Sequence, residues 1–457
     1  MVAGSLLNWK PALGQPEQPK RSPNFIVLLC DDLGYGDLGC YGNRSIRTPN
    51  IDRAASQGAR LTEFYATPTC TPSRASLLTG RYPVRSGMTR VLIPGEHFGM
   101  PASEITMAEA LKERGYQTAC IGKWHLGNRA PFRPNRHGFD YFYGLHYSND
   151  MTLPLVHWPS IKLFRNEEVI QAPVKQLTLT RDLTVEASRF ITENKERPFL
   201  LYLPYTMPHL PWSASPEFAG KSKYGAYGDA VEEIDWSVGE ILKTVSRNGL
   251  DKETMVVFLS DNGPELVTPE PGGSAGALRG GKGSTWEGGV RVPCIVRWPG
   301  RVPEGAVRPG ITTTMDLYAT VLELAGGDVP PDHVVDGRSL IPYLEGDSAS
   351  PQSEHYYYRG KRLFAVRSEN WKLHFLKMRT GKKGGNKEAI ACNPPELYNL
   401  DADPGERQDV QGDHPEIAAR LTKLAEEFEA SFTPGRRPPP QWRSVLPRVR
   451  GRKKKHN

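Results

Sequence analysis

Phe25-Ile26-Val27-Leu28-Leu29-Cys30-Asp31-Asp32-Leu33-Gly34-Tyr35-Gly36-Asp37 is the stretch on which the fold turns. Six apolar residues in a row, with no polar alternation, mark a strand buried on both faces. The run stops at two adjacent carboxylates and a glycine-rich turn. Acidic groups where a central strand runs out match the rule that sites in α/β sheets lie at the carboxyl ends of strands.

The same pattern recurs outward from this stretch. Residues 199–203 form a second apolar run, leading into Pro204-Tyr205-Thr206-Met207-Pro208-His209-Leu210-Pro211. Met255-Val256-Val257-Phe258-Leu259-Ser260 is a third, ending in Asp261-Asn262-Gly263. Residues 117–122 read as a short strand with Lys123-Trp124-His125 just beyond it. Helical patterns lie between, over about 49–57, 106–115, 180–194, 226–247 and 313–325. Strands are expected at 59–65 and 290–298, a loop-rich section over 127–178 and a loop over 271–289. This alternation predicts an α/β domain with a large, mostly parallel sheet covered by helices on both faces. After about residue 350 four short segments read as antiparallel strands, followed by a helix over 414–430, which predicts a smaller α+β unit. The expected organisation is a polar leader over 1–22, a main domain over 23–350, a C-terminal subdomain over 351–433 and a basic tail over 434–457.

Composition narrows the function. A chain of 457 residues with 38% hydrophobic and 24% charged residues has ample core, and no apolar run approaches a membrane span. The net charge of +7 comes from the end: nine lysines and arginines from Arg436 onward, with no acid, leave the body at −2. A Pro/Arg-biased solvated tail is the expectation, and no nucleic-acid partner. Six cysteines without a Cys-x-x-Cys pair exclude a disulfide scaffold or a structural zinc site, leaving room for one bridge. The first residues lack a basic region followed by an apolar one, so no signal peptide is read, and the expectation is either a cytoplasmic chain or a true start upstream of this sequence.

Cys70-Thr71-Pro72-Ser73-Arg74-Ala75-Ser76-Leu77-Leu78-Thr79-Gly80-Arg81 carries the chemistry. It reads as a helix beginning near Ser73 and stopped at Gly80, with Cys70 just before its N-terminus, where free N–H groups and the helix dipole favour negative charge. Arg74 projects from the same end. Taken alone, Cys70 reads first as a buried cysteine before an ordinary helix. Asp31-Asp32 and Asp261-Asn262 form an all-oxygen set suited to calcium or magnesium rather than zinc. Each pair alone could equally cap a turn. Lys123 and His125, if extended, project to one side, and His209 and Lys282 alone would pass for a loop histidine and a solvated lysine.

The Cys70 run closely resembles the signature of the type I sulfatases, in which the cysteine is converted to formylglycine. Segments 25–37, 70–81, 122–127, 209–211, 259–263 and 280–293 match that family's pattern in order. Gly281-Lys282-Gly283-Ser284-Thr285-Trp286-Glu287-Gly288-Gly289-Val290-Arg291-Val292-Pro293 is most like arylsulfatase A and N-acetylgalactosamine-6-sulfatase, and Leu397-Tyr398-Asn399-Leu400-Asp401-Ala402-Asp403-Pro404-Gly405-Glu406 is like their C-terminal strand and turn. The resemblance runs from about 23 to about 430. It implies an alkaline-phosphatase-like fold and a calcium ion held by Asp31, Asp32, Asp261 and Asn262 with modified Cys70. Arg74 and Lys123 would stabilise the formylglycine hydrate, His125 would hold one of its hydroxyls, and His209 and Lys282 would contact sulfate and protonate the leaving oxygen. Ser148, in His146-Tyr147-Ser148-Asn149-Asp150, matches a substrate-contacting serine.

The implied partners are a sulfate ester, small molecule or glycan, and a maturation enzyme acting on Cys70. The family is usually exported or lysosomal, unlike the cytoplasmic expectation from the N-terminus. An N-acetylgalactosamine-6-sulfatase-type sugar sulfatase, a phosphate or phosphonate monoester hydrolase with the same Cys-x-Pro-x-Arg, and a non-catalytic binder of sulfated polymers are the alternatives. Leaving-group identity is assigned to loops 90–103, 146–170 and 264–279, and oligomeric state is left open.

Overall fold

The computed structural model describes residues 22–152, 156, 160–267, 272–327, 333–379 and 388–432. Almost all of the leader and all of the basic tail lie outside this set. Among the described residues the main sheet has eleven strands. In chain order they are β1 (Asn24–Cys30), β2 (Ala59–Tyr65), β3 (Gln117–Lys123), β4 (Tyr141–Leu145), β5 (Leu163–Arg165), β6 (Glu168–Gln171) and β7 (Phe199–Pro204). There follow β8 (Thr254–Ser260), β9 (Arg291–Arg297), β10 (Ala306–Arg308) and β11 (Thr312–Thr313). Their spatial order is β10-β2-β9-β8-β1-β7-β3-β4-β5-β6, with β11 also on β2. The central β8-β1-β7-β3-β4 block is parallel. The β9 strand enters antiparallel to both β8 and β2, and β5 and β6 form an antiparallel edge.

The unbroken apolar run of β1 is explained by its neighbours. Phe25, Val27 and Leu29 enter one core, with Leu77 and Leu78 of the Cys70–Thr79 helix and Leu317 and Val321 of the Thr314–Leu324 helix. Ile26, Leu28 and Cys30 enter the other, with residues of the Pro49–Ser56, Leu179–Glu193 and Gly225–Arg247 helices. A strand with a core on each side has no face left for polar residues.

Register then does the positioning. Cys30 pairs with Ser260, and Leu29 with Pro204. The ends of β1, β8 and β7 are therefore level, and Cys120 opposite Tyr202 brings the end of β3 alongside. Gly122 permits this close approach. It sits at φ +138°, and a Cβ there would lie 1.9 Å from the Pro204 carbonyl oxygen.

Three expectations need correction. The 127–178 region is not all loop: β4, β5 and β6 lie in it, because Tyr141-Phe142-Tyr143-Gly144-Leu145 reaches strand pairing through β3 rather than through its own pattern. The helix expected from Ser73 begins at Cys70, preceded by extended Thr69 at φ −149° and ψ 156°. Pro72 falls in its first turn, where no intrahelical N–H donor is needed, and the Ser73 N–H makes a bond to the Thr69 carbonyl at 3.2 Å. Lys123 belongs to β3 itself, and His125 has φ +60°, so the chain is not extended between them. All six cysteines carry free thiols.

A second, antiparallel sheet comprises β12 (Glu354–Arg359), β13 (Arg362–Ser368), β14 (Trp371–Arg379) and β15 (Glu388–Asn399). The Pro415–Ala430 helix packs Ala418, Leu421 and Ala425 against it. No helix among the described residues is long and apolar enough to cross a membrane.

A fully buried charge cluster joins this sheet to the main domain. Glu287 accepts from the Tyr65 hydroxyl at 2.7 Å and from Lys372 Nζ at 2.9 Å. Lys372 also reaches Glu406 at 2.9 Å, and the Glu287 N–H donates to Glu406 at 2.6 Å. Burial alone would push the Glu287 carboxyl up, but Lys372, Arg291 and Arg367 overturn that and bring it down to about 2. A carboxyl depressed on folding contributes stability that is complete above its unfolded value near 4.3 and is lost as pH falls towards 2. Wild-type melting temperature should therefore drop through that window. Glu287→Gln should lower Tm at pH 7 by several degrees, consistent with roughly 3 kcal/mol for a broken buried pair, and flatten the acid limb measured by calorimetry.

Candidate active site

The level strand ends converge beneath the N-terminus of the Cys70–Thr79 helix. Asp31 and Asp32 follow β1, Asp261 and Asn262 follow β8, Lys123 ends β3, and His209 lies five residues past β7. Lys282 arrives on the glycine-rich loop before β9, pinned where its N–H meets the Pro264 carbonyl and the Gly283 N–H meets the Pro68 carbonyl. All these side chains are buried except that of Lys282, which keeps 14% exposure.

Ligating atoms of Asp31, Asp32, Cys70 and His209 lie within 4.8 Å of one another. Burying carboxylates this close is unfavourable unless each is neutralised. Arg74 directs Nε and Nη2 to Asp261 Oδ2 at 3.0 and 2.8 Å, and its Nη1 to the Lys123 carbonyl at 2.6 Å. Lys123 Nζ is in contact with Asp31 Oδ2, and Lys282 Nζ donates to Asp32 Oδ2 at 2.6 Å. Asn262 donates its amide to Asp32 Oδ1 at 2.7 Å. Asp261 is thus held from behind by Arg74, with its Oδ1 3.3 Å from the Asp32 N–H.

These contacts set the protonation states. Burial would raise the Asp31 carboxyl, yet Lys123, His209, Arg74 and Lys282 hold it well below the usual range. Asp261 goes the other way, because burial and the nearby Asp31 charge outweigh Arg74. Burial pushes the Cys70 thiol up to about 12 despite Lys123 and Lys282, so it is held as a thiol. Burial and the charges of Lys123 and Arg74 hold the His125 imidazole neutral. His125 Nε2 lies 3.0 Å from the Leu92 carbonyl, which can only accept, so that nitrogen carries the proton. Its Nδ1, unpartnered among the described residues, is the free lone pair.

The donor set suits a hard cation. The buried Asp31 Oδ1 and Asn262 Oδ1 have no hydrogen-bond partner among the described residues, and both are oxygen acceptors at the strand ends that also carry Asp32 and Asp261. Ser148 sits at the rim, its Oγ 3.5 Å from His209 Nδ1. The structure thus brings together every residue singled out from the sequence. Two contributors carried no sequence signal. The Thr71 hydroxyl donates to the His125 carbonyl at 2.9 Å, and Leu92 supplies the carbonyl that fixes the imidazole tautomer. Both act through loop packing that no local pattern encodes.

The family model described as sulfatase matches residues 23–327, and that described as the C-terminal region of aryl-sulfatase matches 350–443. Mouse (Mus musculus) steryl-sulfatase is 38% identical, over 94% of this chain and 84% of that protein. Human (Homo sapiens) arylsulfatase A is 38% identical, over 88% of this chain and 87% of that protein. Among solved structures, the PsFucS1 sulfatase from Pseudoalteromonas sp. superposes with a TM-score of 0.82 at 32% identity, covering 90% of each chain.

Removing Arg74 would leave Asp261 buried and unpaired, which costs about 3–5 kcal/mol. Arg74→Ala should therefore melt many degrees below wild type. Arg74→Lys should recover only part of that loss, since an ammonium cannot span both Asp261 and the Lys123 carbonyl; equal melting of Lys variant and wild type in a thermal scan would contradict the forked contact.

Proposed function

This chain belongs to the sulfatase family and is a sulfuric ester hydrolase, and on that premise we propose that it cleaves sulfate monoesters with formylglycine at position 70 and a bound calcium ion. Family membership supports this activity over the phosphate or phosphonate hydrolase and the binding protein that the sequence left open. The observation that carries the proposal is the convergence of Cys70 with Asp31, Asp32 and three buried or nearly buried cations at a helix N-terminus.

Calcium, with magnesium as the alternative, would be held by Asp31, Asp32, Asp261 and Asn262 beside residue 70, supplying fixed positive charge next to the sulfate oxygens. Formylglycine supplies, as its hydrate, a hydroxyl nucleophile where a thiol would be a soft ligand and would leave a stable sulfur–sulfur adduct. The other residues do the positioning and proton work. Lys123 and Lys282 present ammonium groups toward the same centre, able to bind sulfate oxygens and offset the charge that develops as the ester bond breaks. His125, neutral with Nδ1 open, is suited to accept a proton from a hydroxyl at position 70. His209 is held between Asp32, 3.6 Å from Nε2, and Ser148, and can deliver a proton to the leaving alkoxide or phenoxide. Arg74 is committed to Asp261 and the Lys123 carbonyl, so its contribution is to keep both in place.

Two measurements test this. Tryptic residues 61–74, taken from protein made with a competent maturation enzyme, should show by mass spectrometry an aldehyde or its hydrate at Cys70. An intact thiol there, with a control substrate matured, would sink the nucleophile. Calcium should raise the melting temperature of chelator-treated protein in proportion to the logarithm of its concentration. Asp32→Asn and Asn262→Ala should blunt that shift, whereas an identical Tm with and without calcium would remove the metal from the proposal.

A further inference from the structure

Beside the site lies a second cavity of about 310 Å³ that none of the chemistry above uses. The two are joined through consecutive residues. The His146 carbonyl accepts the His125 N–H at 3.0 Å, the Tyr147 ring packs edge-on to His125 at 5.9 Å, and Ser148 touches His209. All three of 146–148 line the cavity, so it opens where a leaving group must emerge from the reacting centre. Its volume falls at the small end of ligand pockets, ~300–1,000 Å³, room for about one ring unit.

The lining has two characters. Tyr147, Met151, Ile161 and Phe164 give it an apolar wall suited to the face of a ring. Arg133 and Lys162 add two cations that the fold does not neutralise. Arg133 is half-buried and donates Nε to the Asn128 carbonyl at 3.1 Å, and neither it nor Lys162 has a carboxylate partner among the described residues. The one acid among the described lining residues, Glu167, is engaged by Arg136 at 3.1 Å. His146, also in the lining, packs between Phe142 and Phe164 with ring centroids at 5.3 and 4.0 Å. A half-buried guanidinium with no carboxylate partner among the described residues, lining a cavity, is a group in want of an anionic ligand.

Resting on the sulfatase reading above, we infer that this cavity is the leaving-group subsite and that it selects sulfate esters whose leaving group is a ring bearing a second anionic group, a carboxylate or another sulfate. The ring lies on Tyr147 and Phe164, and the second anion is met by Arg133 and Lys162. A neutral, purely apolar leaving group would leave both cations unmatched.

The test uses matched aryl esters. In para-carboxymethylphenyl sulfate and para-carbamoylmethylphenyl sulfate a methylene insulates the phenol, so the leaving groups are alike and only the second charge differs. With the full-length, matured enzyme, the carboxylate ester should be favoured by about tenfold in kcat/KM, through KM, the size of one charge-assisted contact. The preference should shrink as salt is added. Arg133→Gln and Lys162→Gln should each bring the ratio between the two esters toward one, and Arg133→Lys should retain most of it. Because the readout is a ratio within one protein, partial loss of folding cancels. Equal efficiency in the wild type, or a preference that survives both glutamine variants, overturns the subsite. Failure of matured wild type to turn over either ester overturns the sulfatase reading and the subsite with it.

Discussion

Two acid-bearing strand ends cannot be buried side by side without a cation between them, and the Arg74–Asp261 pair meets that need with neither partner exposed to solvent. Asp31, Asp32 and Asp261 follow two strands paired in parallel with their ends level, so their charges fall together whatever the loops do. Arg74 reaches them because its helix starts at Cys70, one turn before it. The same helix start presents Cys70 to the carboxylates. One constraint thus aligns the strand ends, the helix and the reactive residue, and moving any of them would strand a charge.

The C-terminal sheet takes part in this arrangement. Lys282 rides on a glycine-rich loop. That loop is held by Arg359, which donates to the Gly283 carbonyl at 2.6 Å, and by Lys372, which donates to the Thr285 carbonyl at 2.8 Å. Glu287, a few residues on, is the centre of the buried cluster linking it to Glu406. The smaller sheet is therefore a brace for a site lysine, and its buried charges carry consequences for the active site as well as for stability.

Legibility in the sequence followed burial. The β1, β7 and β8 strands are continuous apolar runs because each is covered on both faces, and a pattern of that kind survives without knowledge of neighbours. The polar ends of those runs, Asp31-Asp32, His209 and Asp261-Asn262, were visible for the same reason. The β4 strand was not legible, since its aromatic and glycine residues acquire strand form only against β3. The Cys70 helix begins three residues before the expected Ser73, because a proline in a first turn breaks no hydrogen bond. Arg133 and His146 gave no signal, as nothing local distinguishes a loop arginine with a carboxylate from one without.

By itself the sequence determined the fold class, the family and the identity of the polar groups, because these depend on residue type and on short-range periodicity. Tertiary structure alone decided which carboxylate pairs with which cation, which nitrogen of His125 carries its proton, and that His146, Tyr147 and Ser148 join the reacting centre to a charged cavity. Those outcomes depend on distances between residues tens to hundreds of positions apart, such as Asp32 and Lys282 or Arg74 and Asp261. Only strand register and the packing of buried charges set such distances.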